Sequence, residues 1–179
     1  MTEQASTGPG PHYAAMEHLR DGQALSIRAL RPGDREGLLA AFAGLGERSR
    51  TLRFFAPRRG FSEREVDYFV NVDFREHVAL VAEAEAGGAP TLVGGGRFIV
   101  TAPGTAELAF AVADAWQGRG VGAALMRHLI ALARGSGLSE LTAEVLSDNA
   151  PMLALFRRCG TPVEMRRERR TVHVVLRLR

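Results

Sequence analysis

The spacing of hydrophobic residues changes several times along the chain, and each change marks an element. Residues 1–12 are rich in Gly, Pro, Ser and Thr and read as a disordered tail. Asp21-Gly22 is a hairpin signal between two short segments. In the second segment, residues 24–30, Leu25, Ile27 and Ala29 alternate with other positions, the period of a half-buried strand. Pro32-Gly33-Asp34 opens a helix with Leu38, Leu39 and Phe42 on one face. Ser62 with Glu65 three residues on is a capping-box pattern, and it starts a second helix carrying Val66, Phe69 and Val70. Residues 77–84 and 92–100 read as strands joined through Gly87-Gly88-Ala89-Pro90, and residues 107–113 as a third. From 120 to 134 the period turns helical, with Val121, Leu125, Leu129 and Leu132 in register, and Ser136-Gly137 ends it. Residues 141–146 are a further strand. Asp148-Asn149-Ala150-Pro151 opens a helix to about residue 158, with Pro151 in its first turn. Residues 163–167 and 171–178 close the chain as a hairpin. This order predicts an α+β or mixed α/β fold, one domain over 13–179, with a central sheet covered by helices.

Composition narrows the class. No apolar run approaches the roughly 20 residues of a membrane span. The start, Met1-Thr2-Glu3-Gln4-Ala5-Ser6, has neither the basic nor the apolar region of a signal peptide. Cys159 is the only cysteine, so no internal disulfide is possible and a cytoplasmic location is expected. The net charge is +3, but Arg166, Arg167, Arg169 and Arg170 crowd into five residues. A nucleic-acid surface would pair such a cluster with exposed aromatics or a groove-reading helix, and neither accompanies it. A solvated hairpin turn and a contact for an anion or acidic partner remain. All 23 basic residues are arginines, so the chain offers no lysine side chain for modification.

The sharpest chemical signal is Gln117-Gly118-Arg119-Gly120-Val121-Gly122, where a strand gives way to a helix. Glycines let a backbone approach a ligand closely. The free N–H groups of a helix's first turn, backed by its dipole, then form an anion site suited to a pyrophosphate, to which Arg119 can add charge. A P-loop needs Gly-Lys-Ser/Thr, which a chain without lysine excludes. A dinucleotide fingerprint is nominally present as Gly118-x-Gly120-x-x-Ala123, but it follows three meander strands and leaves too little chain for a substrate domain.

Residues 112–122, Val-Ala-Asp-Ala-Trp-Gln-Gly-Arg-Gly-Val-Gly, resemble motif A of the GNAT superfamily of acyl-CoA-dependent N-acetyltransferases, Gln/Arg-x-x-Gly-x-Gly/Ala, with Gln117, Gly120 and Gly122 in place. Asp148-Asn149 before a helix resembles that family's second cofactor segment. A narrower resemblance, over about residues 13–160, is to the catalytic domain of bacterial Pat-type protein lysine acetyltransferases. Leu19-Arg20-Asp21-Gly22, residues 27–34, residues 49–55 and Ala106-Glu107-Leu108-Ala109-Phe110 carry it. Those enzymes often carry an extra regulatory domain, which these 179 residues do not include.

The resemblance implies a mostly antiparallel sheet splayed at a cofactor cleft, and direct acetyl transfer from acetyl-CoA in a ternary complex. The pyrophosphate would rest on the N–H groups of Gln117, Gly118, Arg119, Gly120, Val121 and Gly122. The pantetheine arm would run between the strand ending near Val112 and the strand 141–146. Backbone groups of Phe110 and Val112 would bind that arm and polarise the thioester carbonyl. Asn149 would contact the arm or support the cleft, or serve only as a helix cap. Glu107 would be the general base that the Pat-type pattern places there, since an amine of reference pKa about 10.4 must lose a proton before it attacks. Where many GNAT enzymes have a proton-donating tyrosine, this chain has Phe156, which has no proton to give. The acceptor would be a protein lysine or a small amine (an antibiotic, polyamine or amino acid), and the chain a monomer or homodimer. The other class of reading is a non-catalytic acyl-CoA sensor. Ser49, Arg50 and Arg53 form a polar helix face that either lines the acceptor groove or is solvated. His77 and Cys159 read as structural residues, and the histidines show no metal-ligand spacing, so no metal is expected.

Overall fold

Alternating strands around a continuously buried one build the middle of the molecule. Strands β2 (Ala24–Ala29), β3 (His77–Ala86), β4 (Ala89–Ala102) and β5 (Thr105–Val112) form an antiparallel meander, and β1 (Ala14–His18) pairs outside β2. Beyond β5 come β6 (Glu140–Leu146) and the hairpin β7 (Val163–Glu168) and β8 (Thr171–Arg177). The eight strands make one sheet in the order β1-β2-β3-β4-β5-β6-β8-β7. The computed structural model describes residues 10–179. The tail expected at 1–12 therefore falls mostly outside the described residues, and Tyr13 is already buried against the core.

The sheet is mostly antiparallel, as expected, and its one parallel pairing positions the site. β5 and β6 pair only through Thr105↔Glu140, Ala106↔Leu141 and Glu107↔Thr142. Beyond Glu107 the strands part. β6 continues against β8 as far as Leu146↔Thr171, while β5 continues against β4 as far as Val112↔Gly94.

Helices cover both faces. α4 (Val121–Gly135) presents Val121, Leu125, Leu129 and Leu132 to one face, and α5 (Ala150–Arg157) adds Leu153 and Phe156 to the same core. α4 lies close because β4 has glycines beneath it: a Cβ at Gly94 would meet Val121 and Leu125 at 3.3 Å, and one at Gly96 would meet Leu129 at 2.7 Å. On the other face lie α1 (Arg35–Ala43), α2 (Glu47–Phe54) and α3 (Glu63–Val70). The expected capping box opens α3: Ser62 Oγ accepts from the Glu65 N–H at 3.3 Å, and Glu65 accepts from the Ser62 N–H at 2.8 Å.

Three details depart from the sequence reading. The element count there was two helices before β3, and α2 makes a third. Its inward side chains, such as Arg53, are not aliphatic, so hydrophobic spacing passes over it. β1 has no fully buried residue and no apolar period. The β3–β4 turn is only Gly87-Gly88, both with positive φ (61° and 81°), as a two-residue hairpin turn needs. Ala89 and Pro90 already belong to β4. Pro90 lies opposite Glu85, one step past the pair flanking the turn, where its missing N–H faces away from β3.

Candidate active site

The site forms where β5 leaves β6. The Ala113 N–H donates to the Val93 carbonyl at 2.9 Å. By antiparallel alternation the backbone groups of Ala111 and Ala109 also point at β4; the Leu108 N–H still serves the Glu107↔Thr142 pairing with β6, and the Leu108 carbonyl and the groups of Phe110 and Val112 point into the gap beyond it. An unpaired strand edge inside a protein must find polar partners, and an extended ligand arm can supply them. Of the two expected positions, Phe110 keeps its carbonyl free of side-chain donors, whereas the Val112 carbonyl already accepts from Gln117 Nε2 at 3.0 Å.

Gln117 does more than begin the loop. Its Nε2 also reaches Asp114 Oδ1 (3.2 Å) and Ser49 Oγ on α2 (3.3 Å). Asp114 in turn accepts from the Gly46 N–H at 3.0 Å, at the start of α2. These bonds fasten α2 to the loop between β5 and α4. Ser49 thus stands against the loop at the surface.

The loop has the geometry of an anion cradle. Gly118 and Gly120 have φ of +72° and +107°, conformations that L side chains rarely adopt. The first intrahelical bond of α4 runs from the Ala124 N–H to the Gly120 carbonyl at 3.0 Å. The N–H groups of Val121, Gly122 and Ala123 therefore have no acceptor within the helix, and they point outward at its positive end. Gly122 serves packing instead: a Cβ there would lie 3.1 Å from Leu155 and 3.7 Å from Phe110 and Val112.

Arg119 is more constrained than the sequence suggests. Its guanidinium pairs with Asp21 at 2.6 Å, donates to Gln23 Oε1 at 2.7 Å and stacks 4.1 Å from the Trp116 ring centroid. That charge is largely committed to the β1–β2 turn. The cation that hydrophobic and glycine spacing did not single out is Arg20, an exposed side chain whose Cγ lies 4.0 Å from a Cβ built at Gly120.

Glu107 is exposed and occupies the last rung before the sheet opens, between Ile99 of β4 and Thr142 of β6. It shares a face of β5 with Ala109 and Ala111, the face toward α1–α3. Asn149 is buried, and its Oδ1 accepts from the Met152 N–H at 3.3 Å, so it caps α5. Phe156 is fully buried, its ring centroid 6.1 Å from that of Phe110. His77 is buried beside Arg97 (Nε2 to Nη1, 2.8 Å); burial, then the Arg97 charge, push its pKa down to about 4. Cys159 donates weakly to the Thr161 carbonyl at 3.7 Å.

Between α2 and the end of β6 lies an open cleft of about 900 Å³. Its walls include Thr51, Phe55 and Ser147, and its rim carries Arg48, Arg167, Arg169 and Arg170. The arginine cluster of the sequence thus stands on a cleft wall at the β7–β8 turn. Among the described residues, no helix is long and apolar enough to cross a membrane.

A helix start with unpaired N–H groups, beside an open strand edge, agrees with what the resemblance to acyl-CoA-dependent enzymes implies, and the comparisons make the chain an acyltransferase. The model of the Acetyltransferase (GNAT) family matches residues 47–161, and the chain belongs to that family. It is similar to Acetyltransferase PA5475 of Pseudomonas aeruginosa, 34% identical over 133 residues that cover 74% of this chain and 70% of that protein. It is 31% identical over 144 residues to Acetyltransferase Pat of Mycolicibacterium smegmatis; the match covers 79% of this chain but 42% of that protein. The crystal structure of the GNAT domain of S. lividans PAT superposes with a TM-score of 0.82 at 34% identity, covering 92% of this chain and 96% of that one.

Proposed function

We propose that this acetyltransferase moves an acetyl group from acetyl-CoA to the side-chain amine of protein lysines, with Glu107 as general base. The observation that carries the reading is the position of Glu107 at the fork of the sheet, next to the strand edge that opens from the Leu108 carbonyl through Phe110 and Val112. The pyrophosphate fits the α4 start, where Gly118 leaves open space and the N–H groups of Val121, Gly122 and Ala123 lack helical acceptors. Arg20 adds charge and Arg119 contributes through the backbone, whereas the Gln117 N–H, expected to join them, already donates to the Asp114 carbonyl at 3.2 Å. The pantetheine arm fits the edge of β5, bonded by Phe110 and by the Val112 N–H. Asn149 holds the far wall by capping α5.

When bound, acetyl-CoA supplies an activated thioester carbonyl. Glu107 takes a proton from the acceptor ammonium, directly or through water. The neutral amine then attacks the carbonyl carbon, a C–N bond forms, and the C–S bond breaks. A thiol of reference pKa about 8.5 leaves readily as thiolate, and the thiolate takes a proton from water or the one the newly bonded nitrogen releases, so Phe156 need not supply one. The open, arginine-rimmed cleft supports a protein acceptor over a small amine, which calls for an enclosed acidic pocket. The likeness to the Pat proteins supports the same choice.

Glu107→Gln tests the reading. Acetyl-CoA affinity is expected to stay unchanged, while CoA release with lysine peptides falls by about 10²–10⁴, the range for a positioned base. Near-normal turnover of the variant would refute the role. Acetyl-CoA binding with no CoA release from any amine would make the chain a sensor.

A further inference from the structure

A second cavity, of about 90 Å³, lies under α1–α3 on the face of the sheet that carries Glu107. Its floor is Gly95, Ala109 and Ala111: Ala109 and Ala111 are alternate residues of β5 on one face, and Gly95 of β4 lies opposite Ala111. Phenylalanines form much of its wall. Into this apolar lining the fold places two guanidinium groups, Arg53 from α2 and Arg97 from β4.

Neither guanidinium is neutralised by an ion pair among the described residues. Arg53 stacks 4.8 Å from the Phe54 centroid and has no hydrogen-bond acceptor there. Arg97 donates to neutral acceptors, the Phe69 carbonyl (3.3 Å) and His77 Nε2 (2.8 Å), and stacks 4.6 Å from the Phe69 centroid. Burial lowers the pKa of both. Arg97 is pushed to about 10, by burial first and then by the charge of Arg53. Arg58, also near Arg53, is already paired with Glu65. The carboxylate whose charge Arg53 feels is Glu107. Two like charges in an apolar lining, with a carboxylate acting on Arg53 alone, form an arrangement that a second anion would relieve.

We infer that this cavity is an acceptor subsite for a carboxylate, carried by the acceptor close to the amine that Glu107 deprotonates. The inference rests on the reading of Glu107 as base only for where the amine sits. An acidic side chain beside the acceptor lysine and the α-carboxylate of a free amino acid offer the same group. Arg53 and Arg97 hold it by charge-assisted hydrogen bonds, and the aromatic wall covers the adjoining aliphatic carbons. The small floor residues leave the space; a larger side chain at Ala109 or Ala111 would fill it.

The test measures binding, so it does not depend on turnover. Protein saturated with CoA is titrated calorimetrically with two matched pairs: a lysine peptide with Glu beside the lysine against the same peptide with Gln, and free lysine against lysinamide. The carboxylate member of one pair is expected to bind at least tenfold more tightly, and the pair that shows it identifies the source. Arg53→Gln and Arg97→Gln are expected to reduce that preference below threefold while leaving CoA affinity unchanged. Glu107→Gln, which removes the competing acid, is expected to tighten carboxylate binding even as it abolishes turnover. Equal affinities within both pairs, no measurable binding of any member, or a preference that survives in Arg53→Gln would each overturn the inference. Normal turnover in Glu107→Gln would overturn the base assignment alone and leave the wild-type pair comparison standing.

Discussion

Two adjacent glycines in β4 should respond oppositely to the same one-carbon change. A Cβ at Gly96 would lie 2.7 Å from Leu129 Cδ1 and 2.8 Å from Phe110 Cβ. The leucine methyl is the end of a flexible side chain and can swing away. The Phe110 Cβ is fixed to β5, so the strand or α4 must move. Overpacking of this kind costs about 1–3 kcal/mol. Restricting the unfolded chain returns about 0.4–1 kcal/mol in any Gly→Ala change at a compatible backbone angle. At Gly95 the nearest atom to a new Cβ is the Leu80 carbonyl oxygen at 3.4 Å, an ordinary contact, and the methyl points toward the cavity. Gly95→Ala should therefore be neutral or slightly stabilising. The two variants should differ by about 2 kcal/mol. At about 2–4 °C per kcal/mol for a chain of this size, that is a gap of about 4–8 °C in melting temperature. Thermal and urea unfolding of wild type, Gly96→Ala and Gly95→Ala without ligand would measure it. If Gly96→Ala melts with or above Gly95→Ala, close docking of α4 on β4 and β5 is not what fixes Phe110. If the argument holds, Gly96→Ala should also weaken acetyl-CoA binding, because the displaced strand carries the Phe110 edge.

Two further outcomes follow from single side chains. Asn149→Ala removes the cap of α5 and should lower stability by about 1 kcal/mol in urea unfolding; an unchanged midpoint would mean the helix start is held by other contacts. His77 is buried with its pKa at about 4, below an ordinary 6.5. As pH falls below 6.5 the unfolded chain takes a proton that the folded chain refuses. This contribution is complete above pH 6.5 and is lost as pH falls toward 4, by about 3 kcal/mol. The stability–pH slope between 6.5 and 4 should accordingly be shallower in His77→Gln than in wild type, and equal slopes would refute the assignment.

Much of the framework was legible because burial enforces periodicity. β2 and α4 bury apolar residues at the spacings seen in the sequence, β3 is a continuous apolar run buried on both faces, and the Ser62–Glu65 capping box is a local device. α2 was only half legible. Ser49, Arg50 and Arg53 mark a polar face, but that face packs inward: Arg50 lies 4.4 Å from the Phe42 ring centroid, and Arg53 lines a cavity. Hydrophobicity patterns assign arginine to solvent, and here aromatic rings take the place of water. The glycine loop was legible as an anion site, yet the partner of Arg119 was not, since Asp21 is 98 residues away and nothing local announces it. Which carbonyls of β5 are free depends on register with β4, and one bond from Ala113 to Val93 decides it.

The short pairing of β5 with β6 has a bearing on solubility as well as on chemistry. A strand whose N–H and C=O groups lack partners is a template for another chain, and proteins usually shield such edges at the rim of a sheet. Here the unpaired stretch lies in the interior of an eight-stranded sheet, with α4 and α5 over one face and α2 over the other. A narrow ligand arm can thread that gap, but a second polypeptide strand with its side chains cannot enter without forcing the helices apart. The protein thus keeps a row of open hydrogen-bonding groups ready for a small molecule while denying the same row to its own aggregation.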